Sequence, residues 1–374
     1  MIIMALDHVR DYFFYGSFTS NPTDLSSTTP LLFYTRIITH YCAPVFVLLT
    51  GTSAYLYGAK KNKRDLSKFL FTRGLWLIFL EIVVNNFIWF FDPSYSLIVL
   101  QVIWAIGFSM LFLSGIIYLS NKIILILGLL IIFLHNLFDV IIYEGQSVDA
   151  ILWYFLHQQS FIKISEHTSL VFGYPIIPWV GLMGIGYIIG SLYTNYNTIE
   201  RTRMLMKYGV YSIITFLILR LTNFYGEPNN FELYDSITFT IMSLFNTTKY
   251  PPSLLYMLMT IGPSLILLSI IEKYKNSVTD FCVVFGRVPL FYYFVHILII
   301  HSLAIILLAV NNKDYGIMLN MTPFLPEQHQ LMEYGYPLWV VYLVWLFVIL
   351  ILYPICYKYM KYKSNSKKWW ISYL

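Results

Sequence analysis

Apolar runs about twenty residues long recur along the chain, separated by short polar connections. The pattern predicts spans at about 1–16, 33–58, 70–91, 95–119, 123–143, 170–194, 207–224, 251–271, 289–310 and 337–357. Twenty helical residues rise about 30 Å, the thickness of a bilayer's hydrocarbon core. Only helices and closed barrels satisfy their backbone in lipid, and none of these runs alternates with the period of two that a barrel strand needs. The expected fold class is therefore all-α, a polytopic membrane protein with about ten transmembrane helices. Spans and short connections use up the length, so residues 1–374 read as a single domain. The first run is short and is interrupted by Asp7, His8, Arg10 and Asp11, with no small-residue cleavage site after it, so it is not a signal peptide. It reads as the remainder of a longer helix whose start is truncated. The stretches 17–32 and 311–336 are turn-rich loops.

Composition agrees with the pattern. Of 374 residues, 58% are hydrophobic and 11% charged, and the mean hydropathy is +0.66. Soluble domains carry about 25% charged residues, so most of this surface never meets water. Charge placement predicts orientation. The connections 59–69, 120–122, 195–207, 272–288 and the tail from 358 hold seventeen Lys and Arg. The alternate set holds three, Lys163, Lys249 and Lys313. By the positive-inside rule the first set, and with it the C-terminus, faces the cytoplasm of a cell (inner) membrane. Basic residues beside helix ends are not a nucleic-acid surface, so no nucleic-acid partner is expected. Cys42, Cys282 and Cys356 are too scattered for a disulfide framework or a metal spacing.

Ionisable residues inside spans are costly and are functional candidates by default. His8 lies eight residues before Gly16, about 12 Å inside the outer end of the first span. His40 lies seven residues after Phe33, about 10 Å inside the second. The two histidines are thus expected at a shared depth. Asp7, Arg10, Asp11, Arg36, His135, Asn136, Asp139, Arg220, Asn223 and Lys249 fall in the same outer half. Arg73, Glu81, Asn85, Asn86, His296 and His301 lie deeper or inward. A bland reading competes at each position. Arg10, Arg36 and Arg220 can snorkel or pair with Asp7, Asp11 or Asp139; His135 and His301 read as packing; Glu81 and Asn85 as interhelical glue. His8 is the sharpest candidate, because a histidine beside a carboxylate serves as a general base oriented by hydrogen bonding. No metal site is expected: the spans hold no HxxxH or HxxE pair, Arg36 opposes a cation beside His40, and His157 with His167 is a weak pairing.

Two strings read first as helix packing: the small residues Gly51, Thr52, Ser53 and Gly58, and the pair Gly186 and Gly190. In NTTKYPPSLLYMLMTIGP (246–263), Lys249 stands at a span entrance before two prolines. The runs MALDHVRDYF, THYCAPVFVLLTGTSAYLYG, TKYPPSLLYMLMTIGP and GRVPLFYYFVHILIIH and the terminal WWISYL, in that order, resemble bacterial members of the heparan-alpha-glucosaminide N-acetyltransferase catalytic-domain family, part of a wider superfamily of transmembrane acyltransferases. The resemblance covers nearly the whole chain. It implies a fold of approximately ten helices that takes an acyl group, with acetyl the expectation, from cytoplasmic acyl-CoA and passes it to an extracytoplasmic sugar amine or hydroxyl. In the wider superfamily an Arg-Gly pair precedes a polar residue of the first span, and His8 fits that polar position; the arginine would lie upstream of Met1. The lysosomal relatives carry a proposed active histidine in the first luminal loop. Loop 17–32 has none, so that histidine is not carried over and an acyl-enzyme step is left open. His296 matches a histidine of their comparable late helix.

The expectation is a single transmembrane acyltransferase-like domain. His8 is its base, with Asp7 or Asp11 orienting it and His40 and Arg36 completing the site or stabilising the developing oxyanion. Arg10, Asp11, Arg36, Lys249, Tyr250, Ser253 and His296 are candidate substrate contacts, and Arg73, Arg287 and the basic loop 59–69 greet the CoA phosphates. Acetyl-CoA is a co-substrate, with no metal needed. Partners are membrane lipid and a glycan or amino-sugar acceptor, with a homodimer left open. A transporter or permease for a small polar solute also uses intramembrane His, Arg and Asp, but would be expected to carry inverted repeats with broken helices, and none is visible. A non-catalytic scaffold leaves the outer polar cluster unexplained.

Overall fold

A computed structural model describes residues 1–17, 20–319, 334–366, 368 and 371. In chain order the elements are α1 (Ile2–Phe13), α2 (Pro30–His40), α3 (Cys42–Gly58), α4 (Lys63–Phe79), a π turn (Leu80–Asn85), α5 (Asn86–Phe90), β1 (Leu97–Leu100), α6 (Val102–Ile116), α7 (Asn121–Leu134) running into a 3-10 turn (His135–Phe138), α8 (Val148–Leu156), β2 (Ser160–Lys163), β3 (Ser169–Phe172), α9 (Ile177–Asn195), α10 (Thr198–Thr222), α11 (Ile237–Phe245), α12 (Leu254–Ile271), α13 (Ser277–Gly286), α14 (Pro289–Val310), a second 3-10 turn (Tyr315–Met318) and α15 (Leu338–Asn365). The terminal WWISYL run lies almost wholly outside the described residues.

This is an all-α polytopic membrane protein. Among the described residues, seven helical stretches are long and apolar enough to cross a bilayer: Pro30–Gly58, Asn121–Phe138, Ile177–Asn195, Thr198–Thr222, Leu254–Ile271, Pro289–Val310 and Leu338–Asn365. The other three expected spans are shorter or broken. α1 has 12 residues, the 70–91 stretch is interrupted by the π turn, and α6 has 15 residues. Two spans also start later than the hydropathy suggests. Residues 97–100 and 169–172 are strands, not helix, in a small sheet of order β1-β3-β2. β1 runs parallel to β3 with Leu97 opposite Ser169, and β2 antiparallel to β3 with Ser160 opposite Phe172. Pro178 then opens α9 one position inside its start, where a missing N–H costs nothing.

The chain forms two compact units. The first consists of Met1–Cys42, Val84–Ser96 and the described residues from Tyr274 on. In it α1 packs on α2, α14 and α15, and α5 packs on α14. The Trp345 indole donates to the Ile2 carbonyl at 2.8 Å, and the Thr35 and Tyr342 hydroxyls meet at 2.6 Å. Tyr336 N–H closes over the end of α1 on the Phe13 carbonyl at 2.7 Å.

The second unit consists of Ala43–Val83 and Leu97–Lys273. It is built from the pairs α4–α6, α7–α9 and α10–α12, with α6 also against α9. Lipid supplies no hydrophobic drive between helices, so close backbone approach does the work. Reciprocal glycines mark each pair. A Cβ on Gly209 would sit 2.7 Å from the Gly262 carbonyl, and one on Gly262 3.1 Å from that of Gly209. Gly74 with Gly107, and Gly128 with Gly181, meet in the same way. Gly51 of α3 and Gly186 of α9 are closer still: a Cβ on either runs into the other helix's backbone, and the Thr52 hydroxyl donates to the Gly186 carbonyl at 3.0 Å. Gly186→Ala is therefore expected to cost about 1–3 kcal/mol, as overpacking does. Gly115→Ala in α6, where nothing lies within 4 Å, should be neutral or gain up to about 1 kcal/mol. Thermal unfolding of the two variants in one detergent checks the contrast, and equal melting temperatures would refute it.

One buried carboxylate of this unit has a defined structural use. The Glu81 carboxylate accepts the Trp104 backbone N–H at 3.0 Å. It thereby caps the first turn of α6, whose amide groups have no partner within the helix.

Candidate functional site

The site grows out of α1. Consecutive residues on a helix point about 100° apart, so neighbours in sequence face different partners. Asp7 faces α2. Its carboxylate accepts from Arg36 Nη1 at 2.8 and 3.0 Å and from the Thr39 hydroxyl at 2.8 Å, and pairs with Arg10 Nη2 at 2.8 Å. Arg10 also bonds Asp11 at 2.8 Å. The arginines thus pair with carboxylates rather than snorkel. His8 turns towards α14 and α5. Its Nδ1 lies 2.6 Å from Nε2 of His296, and the two rings stack at 4.9 Å. The Trp89 indole stands edge-on at 4.9 Å and Tyr293 at 6.0 Å.

Hydrogen-bond logic assigns the protons. His296 Nδ1 lies 2.9 Å from the Tyr292 carbonyl, which can only accept. Nδ1 of His296 therefore carries the proton, and its Nε2 is the acceptor in the neutral ring. His8 Nδ1–H then donates to His296 Nε2. The basic nitrogen of His8 is Nε2. His296 is fully buried, whereas His8 is half-buried. This is the geometry of a general base held in one tautomer, with a second imidazole behind it.

The other expected residues fall as follows. His40 ends α2 as a buried side chain, and the ring stacked on His8 is that of His296. Arg73, in the second unit, has its guanidinium 6.0 Å from the Phe69 ring. Arg287, in the first unit, is an exposed residue that caps α13. Lys249 and Tyr250 pair in the second unit, the ammonium 5.0 Å from the ring, and the Tyr250 ring meets Tyr174 at 5.4 Å. The Ser253 hydroxyl caps α12, accepting from Tyr256 N–H, and donates to Glu227 at 2.6 Å. Among the described residues, Asp139 bonds Asn136 and His157 rather than Arg220. Arg220 donates instead to the carbonyls of Asn229, Ser243, Leu244 and Asn246. Asp139 bonds His157 at 2.8 Å, which leaves His167 apart in an exposed turn. His135 is buried 5.8 Å from the His157 ring. Among the described residues no group of three or more His, Cys, Asp or Glu side chains is placed to hold a metal ion.

Sequence reasoning missed Trp89, Tyr293 and Glu227. The first two looked like ordinary apolar-run aromatics. Glu227 sits in a loop, yet it takes the Thr248 N–H at 3.0 Å and the Thr248 hydroxyl at 2.5 Å as well as Ser253. Burial pushes its carboxyl above the ordinary carboxylate value, against those bonds and the nearby Arg220.

A polytopic helical membrane protein with an imidazole pair, His8 and His296, between its first helix and α14 is the class these features define. The chain belongs to the heparan-alpha-glucosaminide N-acetyltransferase catalytic family, whose model matches residues 1–224. That membership implies a membrane N-acetyltransferase. The match includes Asp7, His8, Arg10, Arg36, His40, Arg73 and Trp89; Lys249, Arg287 and His296 lie beyond it. No curated protein and no solved structure matches the chain.

Proposed function

We propose that the protein transfers an acetyl group from cytoplasmic acetyl-CoA to an extracytoplasmic sugar amine or hydroxyl, with His8 as general base. The observation that carries this reading is the 2.6 Å bond between His8 Nδ1 and His296 Nε2. It orients His8 and leaves Nε2 as the proton acceptor. The acceptor amine or hydroxyl gives its proton to His8 Nε2 as it attacks the thioester carbonyl. The tetrahedral intermediate then collapses, the C–S bond breaks, and the CoA thiolate takes the proton back from His8. The thioester is already activated, so general-base help of about 10²–10⁴-fold is what the protein must add at this step.

His296 shares the charge that develops on His8. The Asp7–Arg10–Arg36 cluster fixes α1 against α2, and Arg10, Asp11 and Arg36 are candidate acceptor contacts. His40 is a candidate for completing the site from α2. In the second unit, Lys249, Tyr250 and Ser253 form a separate candidate ligand cluster. Arg73 and Arg287 are separate candidates for CoA phosphates. The seventeen-to-three charge asymmetry supports a cytoplasmic C-terminus and an inner-membrane setting.

The test is release of free CoA from acetyl-CoA by the purified protein in detergent, across a panel of amino sugars and glycans. Acceptor-dependent release is expected. Saturable solute uptake with no transfer to any acceptor would replace this reading with a transporter.

A further inference from the structure

Trp89 is 8% exposed, and its indole Nε1–H is buried with no hydrogen-bond partner among the described residues. A buried donor left unmade costs about 1–3 kcal/mol, and native proteins retain few without a reason. The surroundings of this one are specific. The ring is held on one side by Tyr12, stacked at 5.5 Å, and the Tyr12 hydroxyl ties down the Trp89 carbonyl at 2.6 Å. The His8 ring stands edge-on at 4.9 Å. A clamped indole ring that carries an unsatisfied donor thus lies against the His8 ring, in the same unit of the fold.

We infer that Trp89 is a catalytic residue, its Nε1–H donating to the acyl carbonyl oxygen as that oxygen becomes the tetrahedral oxyanion. The inference rests on the acetyltransfer reading with His8 as base. The two groups divide the step. As the acceptor nitrogen or oxygen bonds to the carbonyl carbon, its proton goes to His8 Nε2 and the carbonyl π electrons move onto oxygen, where the Trp89 N–H meets them. On collapse the electrons return, the C–S bond breaks, and CoA leaves as the thiolate that recovers the proton from His8. A fixed donor in a dry site stabilises developing charge without reorganising, which is where such donors act most strongly. The ground-state carbonyl carries less charge, so the contribution falls on kcat and little on KM.

The experiment compares wild type, Trp89→Phe and His8→Ala in the CoA-release assay, using acetyl-CoA and whichever amino sugar wild type accepts. Trp89→Phe keeps an aromatic plane and loses the N–H; its kcat is expected to fall about 10²–10³-fold with KM changed little. A second form carries benzothienylalanine at position 89, which retains the shape of the indole and replaces N–H by sulfur. It should melt as wild type does and lose rate as Trp89→Phe does. If this isostere turns over at the wild-type rate while His8→Ala is inactive, the Trp89 role is overturned and the His8 reading stands. If both variants retain wild-type kcat, the acetyltransfer reading at His8 falls, and the Trp89 role with it. Wild type inert towards every acceptor defeats both. An isostere that raises KM alone, with kcat intact, assigns Trp89 to binding and overturns the oxyanion role.

Discussion

His8→Ala is expected to lower acyl-transfer kcat by at least about a hundredfold, the low end of what a positioned general base supplies. The half-buried His8 ring is the member of the pair that a substrate can reach, and its Nε2 is the basic atom because Nδ1–H is committed to His296. The neighbouring variants separate base chemistry from packing. His296→Gln should lose less, since Gln still offers an acceptor to His8 Nδ1–H but cannot share a proton. His40→Ala should fall between His8→Ala and wild type, and His135→Ala should lower stability more than turnover. The measurement is initial-rate CoA release together with a melting curve for each purified variant. Wild-type turnover in His8→Ala would end the proposed mechanism.

The second large effect is expected at Asp7. Its side chain is 9% exposed and sits between Arg10, at 4%, and Arg36, at 14%. Asp7→Ala takes this carboxylate from the buried Arg10 and the partly buried Arg36, while Asp11, 38% exposed, still meets Arg10. Removing one member of a buried ion pair costs about 3–5 kcal/mol, because the uncompensated charge stays out of water. Asp7→Ala should therefore melt well below wild type or fail to accumulate. Thr39→Val, which removes only one donor to the same carboxylate, should cost about 1 kcal/mol. The double variant Asp7→Asn, Arg36→Gln should regain part of the loss, since the two sites share one network and do not add. An Asp7→Ala protein as stable as wild type would show that the cluster contributes nothing to holding α1 on α2.

The helical membrane fold was legible from the apolar runs, and His8 stood out as a candidate because a charge-bearing residue inside such a run needs a reason. Its partner was not. Asp7 is adjacent in sequence, but the 100° step along a helix sends it to Arg36 and Thr39, while the ring that orients His8 comes from α14. Trp89 looked like one aromatic among many; a missing acceptor together with its place beside the His8 ring sets it apart. Arg220 was expected to snorkel or to pair with a carboxylate and instead gathers four backbone carbonyls, a use that no side-chain pattern announces. The three short strands were hidden for a related reason. A run of four apolar residues reads equally as helix or strand, and the choice depends on pairing with a distant segment.

The interleaving of the first unit bears on biogenesis. His8 and His296 are 288 positions apart, and the Trp345 contact on Ile2 spans 343. The glycine-marked pairs of the second unit join helices much closer in sequence, so each can associate soon after its later helix leaves the translocon. α1 can meet α2 early, through Asp7 and Arg36, but must wait for α14 and α15 to be made before its remaining faces are covered. Non-local contacts of this kind form slowly and leave the early segment exposed to wrong partners. The two stacked imidazoles therefore come together only after α14 has been made, and a nascent chain stalled before α14 carries His8 with no His296 to orient it.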